Sequence, residues 1–398
     1  MANYLIVGNG VAGATAAENI RKLDKDGTIT VVTEEDLSFY YRIRLNEYIS
    51  GGIEEQALIA KNARWYKDQG IDLILDTRIT GGNPREKTVF SEKGQTFSYD
   101  NLLIAAGSHS FIPPINGSDK TGTFALRSIR DAREISFYAK DIEDVVLIGG
   151  GLLGLEAGNA MRKLGKKVVV VEFFPRLLPR QLDGDGAKRL QGMMEEMGFS
   201  FRLGAKTQEI MGEEKVDSVL LEGGENLPAG MVIISAGVRP NMELADSLDL
   251  EIDKGIKVDE HLRTNQNNVF AAGDVAEFQG MPYGIWPAAM EQGKIAGTNM
   301  VGEDTVYQGT TMANTLKVVG IDLASAGNID AEGDFESKVV TDEEVYKKIV
   351  IENNRIIGCI MLGDTKGFDK ITKAMSGKKD VSQLKDNILS EGFDFKML

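Results

Sequence analysis

The chain has 398 residues, a hydrophobic fraction of 42% and 45 glycines, which suits two or three packed domains. Its formal net charge of −15 argues against general affinity for nucleic acid. A single cysteine excludes an intrachain disulfide and paired-cysteine redox motifs, and with only two histidines we predict no metal site. No apolar run is long enough to cross a bilayer and no basic leader is present, so we expect a cytoplasmic protein.

The first residues show the pattern of a dinucleotide-binding unit. An apolar strand, 4–7, leads into the N-terminal glycine turn, 8–13 (GNGVAG), and an alanine-rich helix follows. Such a turn presents backbone N–H groups and a helix N-terminus to a pyrophosphate, because unpaired amides and the helix dipole favour an anion. A second strand, 28–33, ends at Glu34, which is placed to accept hydrogen bonds from a ribose diol. We favour Glu34 over Glu35 because it follows the strand more directly.

The same pattern occurs a second time in the middle of the chain. A buried strand, 145–148, precedes the central glycine turn, 149–154 (GGGLLG), and Glu156 lies just beyond that turn. The following strand, 167–171, ends at Glu172. One glycine turn of this kind is weak evidence, whereas two complete sets predict two dinucleotide sites.

Glu172 indicates which nucleotide the central turn binds. A carboxylate at this strand end accepts the 2′-OH of NADH and repels the 2′-phosphate of NADPH. Arg176 follows four residues later, and arginines near this position are typical of NADP sites. The carboxylate at the strand end favours NADH.

Each unit is followed by a strand that ends in small residues, Ala106-Gly107 and Ala236-Gly237, where the backbone must approach another group closely. A further strand within 264–274 delivers a glycine and then Asp274. Asp274 either binds a ligand or caps the next segment, which is the usual role of such a residue. A helix opens near Ala288.

These motifs resemble those of the pyridine-nucleotide-dependent flavoprotein reductases with the glutathione-reductase-like fold. The resemblance implies an α/β fold with two Rossmann-like dinucleotide-binding domains plus a small α+β C-terminal domain. The implied FAD-binding domain is discontinuous and comprises 1–110 and 241–308. The implied NAD(H)-binding domain is 111–240, and the C-terminal domain is 309–398. It further implies that the N-terminal turn binds FAD, the central turn binds NADH, and Asp274 holds the ribityl chain of FAD.

Within that superfamily the chain is most similar to NADH:rubredoxin oxidoreductases. The segments that carry this likeness are 40–47 (YYRIRLNE), 180–186 (RQLDGDG) and 273–278 (GDVAEF). Ferredoxin reductases of oxygenase systems usually carry a lysine where this chain has Glu47, which counts against that branch. NADH oxidases and CoA-disulfide reductases carry a redox cysteine in the same loop, and residues 38–48 contain none.

The resemblance implies that hydride passes from NADH to flavin N5 and that electrons then reach a small iron protein such as rubredoxin. Alternatives are the flavoprotein component of an NADH-dependent nitrite reductase, an NADH oxidase without a redox cysteine, or an FAD- and NAD-binding redox sensor with little turnover. Glu156 and Glu47 are the candidate catalytic residues. For Glu156, a structural acid stabilised by the helix dipole is the alternative.

Three further predictions concern the helix near Ala288, the C-terminal region and the cofactor sites. The dipole of that helix is expected to stabilise negative charge on the flavin. We predict a buried structural role for Cys359, and helices near 368–375 and 381–388. The predicted cofactor-binding residues are Gly8, Gly10, Val11, Ala12, Gly13, Glu34, Arg42, Ala106, Gly107, Gly149, Gly151, Leu152, Leu153, Gly154, Glu172, Ala236, Gly237, Gly273, Asp274 and Ala288.

Overall fold

A computed structural model describes residues 1–310, 313–342 and 344–398. The chain divides into two compact units. The first unit comprises Met1–Ser110, Arg127–Ile129 and Val238–Thr310. The second unit comprises Phe111–Leu126, Arg130–Gly237 and Thr311–Leu398. The predicted division into three domains is finer than these two units, and it stays a prediction.

Strands and helices are numbered here in chain order. The strands are β1 (Asn3–Val7), β2 (Thr28–Val32), β3 (Ile71–Ile74), β4 (Ile79–Asn83), β5 (Thr88–Ser91), β6 (Thr96–Ser98), β7 (Asn101–Ile104), β8 (Ser108–Ser110), β9 (Thr123–Phe124), β10 (Asp144–Ile148), β11 (Lys167–Glu172), β12 (Phe199–Leu203), β13 (Thr207–Met211), β14 (Ser218–Leu221), β15 (Asn226–Pro228), β16 (Met231–Ile234), β17 (Val238–Pro240), β18 (Ile256–Val258), β19 (Val269–Ala271), β20 (Ala276–Phe278), β21 (Ala313–Val318), β22 (Ile321–Gly327), β23 (Glu336–Thr341), β24 (Tyr346–Glu352) and β25 (Arg355–Leu362). The α-helices are α1 (Val11–Leu23), α2 (Leu45–Ile49), α3 (Ala63–Asp68), α4 (Ile129–Tyr138), α5 (Leu152–Lys163), α6 (Gly184–Glu196), α7 (Glu243–Ser247), α8 (Trp286–Met300) and α9 (Phe368–Ser376).

The first unit is built on a parallel sheet with strand order β19-β7-β1-β2-β3. Its central strands are almost entirely apolar because a parallel sheet is covered on both faces. In β1, Ile6 joins the core under α1 and α8, whereas Leu5 and Val7 join the core on the opposite face. A side chain at Gly293 of α8 would lie 2.3 Å from the carbonyl oxygen of Ala12, so the two helix backbones touch. Smaller pairings complete this unit: β4-β5-β6, β8 with β17, and β18 with β20.

The second unit contains a parallel sheet with strand order β12-β11-β10-β16-β9 and a small antiparallel sheet, β13-β14-β15. In both units the glycine turn follows the central strand of the parallel sheet, β1 or β10. Ligands of such sheets bind at the carboxyl ends of the strands. The fold therefore presents each glycine turn at the edge where a dinucleotide would bind.

The C-terminal part of the second unit is an antiparallel sheet with strand order β21-β22-β25-β24-β23, and α9 packs on it through Ile371. Two parallel sheets and this small α+β region confirm the predicted fold class. The helix expected at 368–375 is present as α9. The prediction of a helix at 381–388 is wrong, since these residues form turns. In the described part of the chain, no helix is long and apolar enough to cross a membrane.

A buried charged network connects α6 with this C-terminal sheet. Lys348 Nζ donates to Asp183 Oδ2 at 3.1 Å and to the carbonyl oxygen of Asp330 at 2.8 Å. The hydroxyl of Tyr346 donates to the same Asp183 oxygen at 2.7 Å. Asp183 is also the N-cap of α6, where its Oδ1 accepts from the N–H of Gly186. Strand β24 and the start of α6 are thus held together by one carboxylate.

Candidate cofactor sites

The N-terminal glycine turn has the shape that a bound pyrophosphate requires. Gly8 has φ +107°, and a Cβ there would lie 2.1 Å from the carbonyl oxygen of Ala105. A Cβ at Gly13 would lie 2.0 Å from the carbonyl oxygen of Gly8. Among the described residues nothing approaches within 4 Å of a Cβ built at Gly10, which is the N-cap of α1. Two glycines make the turn tight, and the third leaves open space at the helix N-terminus.

The N-termini of α1, α5 and α8 differ from those of the other helices, each of which has an acidic residue in its first turn or a capping side chain. Within the described ranges no side chain caps α1, α5 or α8, and their first turns carry no acidic residue. In contrast, Asn62 caps α3 and Asp183 caps α6. The N-terminal amides of α1 and α5, which begin at the predicted residues Val11 and Leu152, are therefore left for another acceptor. Helix α8 begins at Trp286, two residues before the predicted Ala288, which is buried.

Arg127 and Asp274 form a short, partly buried ion pair in the first unit. Arg127 Nη2 lies 2.6 Å from Asp274 Oδ2, and Ser108 Oγ donates to the same oxygen at 2.7 Å. Arg127 Nε also donates to the carbonyl oxygen of Ser108 at 2.9 Å. Gly273, directly before Asp274, has φ +83°, and its N–H donates to Gln292 Oε1 at 2.8 Å.

Arg127 extends this contact to the loop that carries Arg42. Arg42 Nη1 donates to the carbonyl oxygen of Arg127 at 2.9 Å, and its Nη2 pairs with the carboxylate of Glu35. Burial lowers the pKa of Arg42, but the charges of Glu35, Tyr40 and Asp274, together with the hydrogen bond to Glu35, outweigh burial and raise that pKa above its usual value. The sequence interpretation included Arg42 and Asp274 but missed Arg127, which no motif marks.

Glu34 and Glu35 occupy different environments at the end of β2. The Glu34 side chain is 57% exposed, and its Oε2 lies 3.8 Å from Arg78 Nε. The Glu35 side chain is only 13% exposed and pairs with Arg42. The Glu35 side chain therefore points toward the interior of the first unit, whereas the Glu34 side chain points toward solvent.

Two buried polar atoms test whether this region fits a polar ligand. Among the described residues neither Asn9 Nδ2 nor Glu35 Oε2 meets a hydrogen-bond partner, although both atoms are buried. Asn9 lies within the N-terminal glycine turn, where its Oδ1 accepts from the hydroxyl of Tyr66 at 2.7 Å. Native structures rarely leave buried polar atoms unsatisfied. An unsatisfied donor and an unsatisfied acceptor in this region fit the phosphate and ribose groups of a dinucleotide.

Other predicted residues of the first unit lie in the loop between β7 and β8 and in the short helix α2. The carbonyl oxygens of Ala106 and Gly107 accept from Asn241 at 2.8 and 3.0 Å. Glu47 forms a two-point ion pair with Arg44, with the Oε2–Nη2 distance at 2.8 Å. Both side chains are partly solvent-exposed, and the guanidinium of Arg44 balances the charge of Glu47 locally.

A cluster of three aromatic side chains lies at the N-terminus of α8. The rings of Tyr41 and Trp286 stack at 5.8 Å between centroids with an interplanar angle of 22°. Phe39 lies 6.0 Å from Trp286 in a tilted arrangement. These rings line the start of the helix that was expected to face the flavin.

The central glycine turn repeats the geometry of the N-terminal one. Gly149 has φ +114°, and a Cβ there would lie 2.2 Å from the carbonyl oxygen of Ser235. A Cβ at Gly154 would lie 2.4 Å from the carbonyl oxygen of Gly149, whereas Gly151 faces open space among the described residues. Gly237, at the end of the following small-residue segment, has φ +100° after Ala236.

Glu172 is buried beside this turn, with both carboxylate oxygens used. Its Oε2 accepts from the N–H of Gly150 at 2.5 Å, and its Oε1 accepts from the N–H of Phe174 at 2.8 Å. Arg176 Nη2 instead donates to the carbonyl oxygen of Pro179 at 3.4 Å. The Glu172 carboxylate therefore stabilises the central glycine turn, in addition to lying at the end of β11.

Two predicted residues of α5 lie on its outer side. Leu153 is exposed, whereas Glu156 is half-buried. Glu156 Oε1 accepts a hydrogen bond from the backbone N–H of Val319 at 2.8 Å. No sequence motif predicts this contact with the C-terminal sheet.

Comparison with known proteins defines the class to which this fold and these turns belong. Residues 2–293 match the model of the pyridine nucleotide-disulphide oxidoreductase family. Residues 313–379 match that of the rubredoxin NAD+ reductase C-terminal domain. The chain therefore belongs to the pyridine nucleotide-disulphide oxidoreductase family. Since that family binds FAD and NADH, the predicted cofactors are confirmed.

Individual relatives extend the similarity over nearly the whole chain. The chain is 33% identical to a nitrite reductase [NAD(P)H] of Bacillus subtilis, over 95% of this chain but 48% of that protein. It is 31% identical to the NADH-rubredoxin oxidoreductase of Clostridium acetobutylicum, over 97% of this chain and 96% of that one. A crystal structure of NADH:rubredoxin oxidoreductase from C. acetobutylicum superposes with a TM-score of 0.85 at 30% identity, covering 98% and 99% of the two chains. The chain spans about half the length of the nitrite reductase.

Proposed function

We propose that the protein is an NADH-dependent FAD reductase that passes electrons to a small iron protein such as a rubredoxin. The observation that carries this proposal is the state of Cys359. It is the single cysteine of the chain, it is fully buried in β25, and burial raises its pKa to about 12. A thiol in that environment is inert, and a disulfide needs two cysteines. Electrons must therefore leave for an acceptor outside the chain.

An iron protein is the acceptor best supported by the similarities. One relative that matches this chain over almost its full length is an NADH-rubredoxin oxidoreductase, and the C-terminal residues 313–379 match a domain named after rubredoxin NAD+ reductase. Both matches include the C-terminal sheet, which carries no dinucleotide motif.

In the first unit we assign the binding of FAD to the N-terminal glycine turn, to Asp274 and to Glu35. When bound, FAD accepts hydride from NADH and releases electrons singly, which suits a one-electron acceptor. Asp274 is oriented by Arg127 and is expected to accept from the ribityl chain. Glu35, with its unsatisfied buried oxygen, replaces Glu34 in our proposal as the ribose acceptor.

In the second unit we assign NADH to the central glycine turn. The open N-terminus of α5 is expected to bind the pyrophosphate, and the buried carboxylate of Glu172 to exclude a 2′-phosphate. Glu156 is proposed to orient the nicotinamide for hydride transfer. Glu47, paired with Arg44, is proposed to set the local charge near the flavin.

The decisive experiment offers rubredoxin, ferredoxin, oxygen and a quinone side by side to the FAD-loaded protein with NADH. We expect rubredoxin to be reduced fastest and the Cys359→Ala variant to behave like the unmutated protein. Equal rates with all four acceptors would contradict the proposed partner. If anaerobic NADH left the yellow flavin unbleached, a redox sensor would replace the enzyme as the best interpretation.

A nitrite reductase component is the second candidate, because the 33% identity to the B. subtilis protein covers almost all of this chain. In that case the acceptor is a protein equivalent to the remaining half of the relative. Electron transfer to that isolated half, with rubredoxin and ferredoxin both inactive, would favour this candidate over the first.

A further inference from the structure

The hydrogen bond between Glu156 and Val319 joins two distant parts of the second unit. The two residues are 163 positions apart, and the Oε1···N distance is 2.8 Å. Val319 and Gly320 form the two-residue turn that connects β21 with β22, where residue 318 pairs with Ile321. Glu156 belongs to the helix that the central glycine turn opens. The contact therefore links the predicted nicotinamide region with a turn of the C-terminal sheet.

The backbone of this turn is strained. Val319 has φ +59° and Gly320 has φ +93°. Two-residue hairpin turns with both φ values positive favour Asn and Gly, and a β-branched residue at positive φ is a genuine outlier. The turn between β24 and β25 uses the preferred type, with Asn353 and Asn354 at φ 49° and 57°, and it is exposed. The turn that meets Glu156 thus places a valine where the β24–β25 turn of the same sheet has an asparagine.

Two contacts hold Val319 in this conformation. Its side chain is buried, and its N–H is bound by Glu156. In such a turn the internal hydrogen bond uses the C=O of the first residue and the N–H of the fourth, so the N–H of the second residue needs an outside acceptor. Strained residues persist where the surrounding structure over-determines them, and they cluster at functional sites.

We propose that the Val319–Gly320 turn is a positioning element for Glu156. By donating to Oε1, the N–H of Val319 restricts the rotation of the carboxylate and sets its orientation toward the nicotinamide. This inference rests on the role in hydride transfer proposed for Glu156. If this inference holds, the C-terminal sheet contributes to hydride transfer through the backbone N–H of Val319, in addition to any role in partner binding.

The test changes the turn while leaving Glu156 in place. Gly320→Val forces a β-branched residue to φ +93°, and nothing among the described residues lies within 4 Å of the new Cβ, so the strain acts on the turn alone. Gly333→Val is the matched control, since Gly333 is an exposed glycine of the same region with φ +81° and open space around its Cβ. Both variants and Glu156→Ala are loaded with FAD and mixed anaerobically with NADH.

We expect Gly320→Val and Glu156→Ala each to slow flavin bleaching at saturating NADH by about tenfold, with the apparent Kd for NADH changed far less. Gly333→Val should bleach like the unmutated protein. The double variant should be no slower than Glu156→Ala alone, because the turn acts through that residue. In the FAD-free protein, Glu156→Ala should accelerate hydrogen exchange of the Val319 amide and not that of Asn353.

Three results would overturn the inference, and they separate it from the proposed function. If Gly320→Val bleaches as fast as Gly333→Val while Glu156→Ala is slow, the turn does not position Glu156. Losses that multiply in the double variant would show independent effects and overturn it too. If Glu156→Ala bleaches normally, the role of Glu156 fails, and the inference fails with it, while reduction of the flavin by NADH stands.

Discussion

Arg127 Nη2 donates to Asp274 Oδ2 at 2.6 Å, although the two residues are 147 positions apart in the sequence. Asp274 ends the motif that the resemblance assigned to FAD, whereas Arg127 lies outside every motif. The backbone carbonyl oxygen of Arg127 also accepts a hydrogen bond from Arg42, so Arg127 connects Asp274 with Arg42.

Arg127→Met is expected to weaken FAD binding by about 10- to 100-fold, because hydrogen bonds to charged groups contribute roughly 1.5–3 kcal/mol. The variant leaves the Asp274 carboxylate without its cation, whereas the backbone carbonyl oxygen that accepts from Arg42 is retained. The flavin content of the purified protein and titration of the FAD-free form with FAD measure the effect.

Arg78→Met is the control for this loss. Arg78 belongs to the same unit but is exposed, with Glu243 Oε1 3.0 Å from its Nη2. Exposed ion pairs contribute little, so its FAD affinity should stay within about twofold of the unmutated value. Similar losses in both variants would show that Arg127 acts only through stability.

The two acids after β2 provide a direct comparison. Glu35→Gln should weaken FAD binding about tenfold, because a buried carboxylate that pairs with Arg42 and faces the ligand loses its charge. Glu34→Gln should have almost no effect, since that side chain is mostly exposed. The reverse order, measured by the same FAD titration, would restore the sequence-based choice of Glu34.

Glu172 should determine the nucleotide preference. Glu172→Ala is expected to reduce the NADH/NADPH ratio of kcat/KM by about tenfold or more, since the repulsion of a 2′-phosphate disappears. Glu172→Gln separates charge from shape, because its amide oxygen still accepts from one of the N–H groups of Gly150 and Phe174. Equal use of both nucleotides by the unmutated protein would contradict the assignment of NADH.

The buried lysine of β24 predicts a large effect on stability. Lys348→Met leaves the carboxylates of Asp183 and Asp330 without their cation, and breaking a buried pair costs about 3–5 kcal/mol. Urea unfolding of the FAD-free protein measures this free energy. Lys338→Met, which removes a more exposed pair with Asp386, should cost less than about 1 kcal/mol. A Lys348 variant as stable as the Lys338 variant would refute the structural role of the network.

Local patterns carried most of the correct predictions. The glycine turns follow apolar strands in both units, so strand, turn and helix could be read from a few adjacent residues, and the fold class followed from the repetition. The buried state of Cys359 followed in the same way from the apolar residues around it. The segment 381–388 shows the limit of this approach: Val381 and Ile388 are buried at helical spacing, but the residues between them form turns.

The contacts that the sequence did not reveal join distant residues. Arg127 with Asp274, Val319 with Glu156, and Lys348 with Asp183 are brought together by strand order, which adjacent residues do not encode. Glu34 and Glu35 differ for another reason. They are neighbours in sequence, and only the direction in which the chain leaves β2 decides which of them is buried.

The strand order of the first unit determines when it is completed during synthesis. Strand β1 is synthesised first. Strand β19, at one edge of the same sheet, is complete only near residue 270, and α8, whose backbone touches α1, is complete only near residue 300. At 5–20 residues per second the ribosome needs roughly 13 to 50 s between β1 and β19. The parallel sheet of the second unit lies entirely within that interval. The first sheet is therefore still incomplete, with apolar strands uncovered, while the second sheet is made.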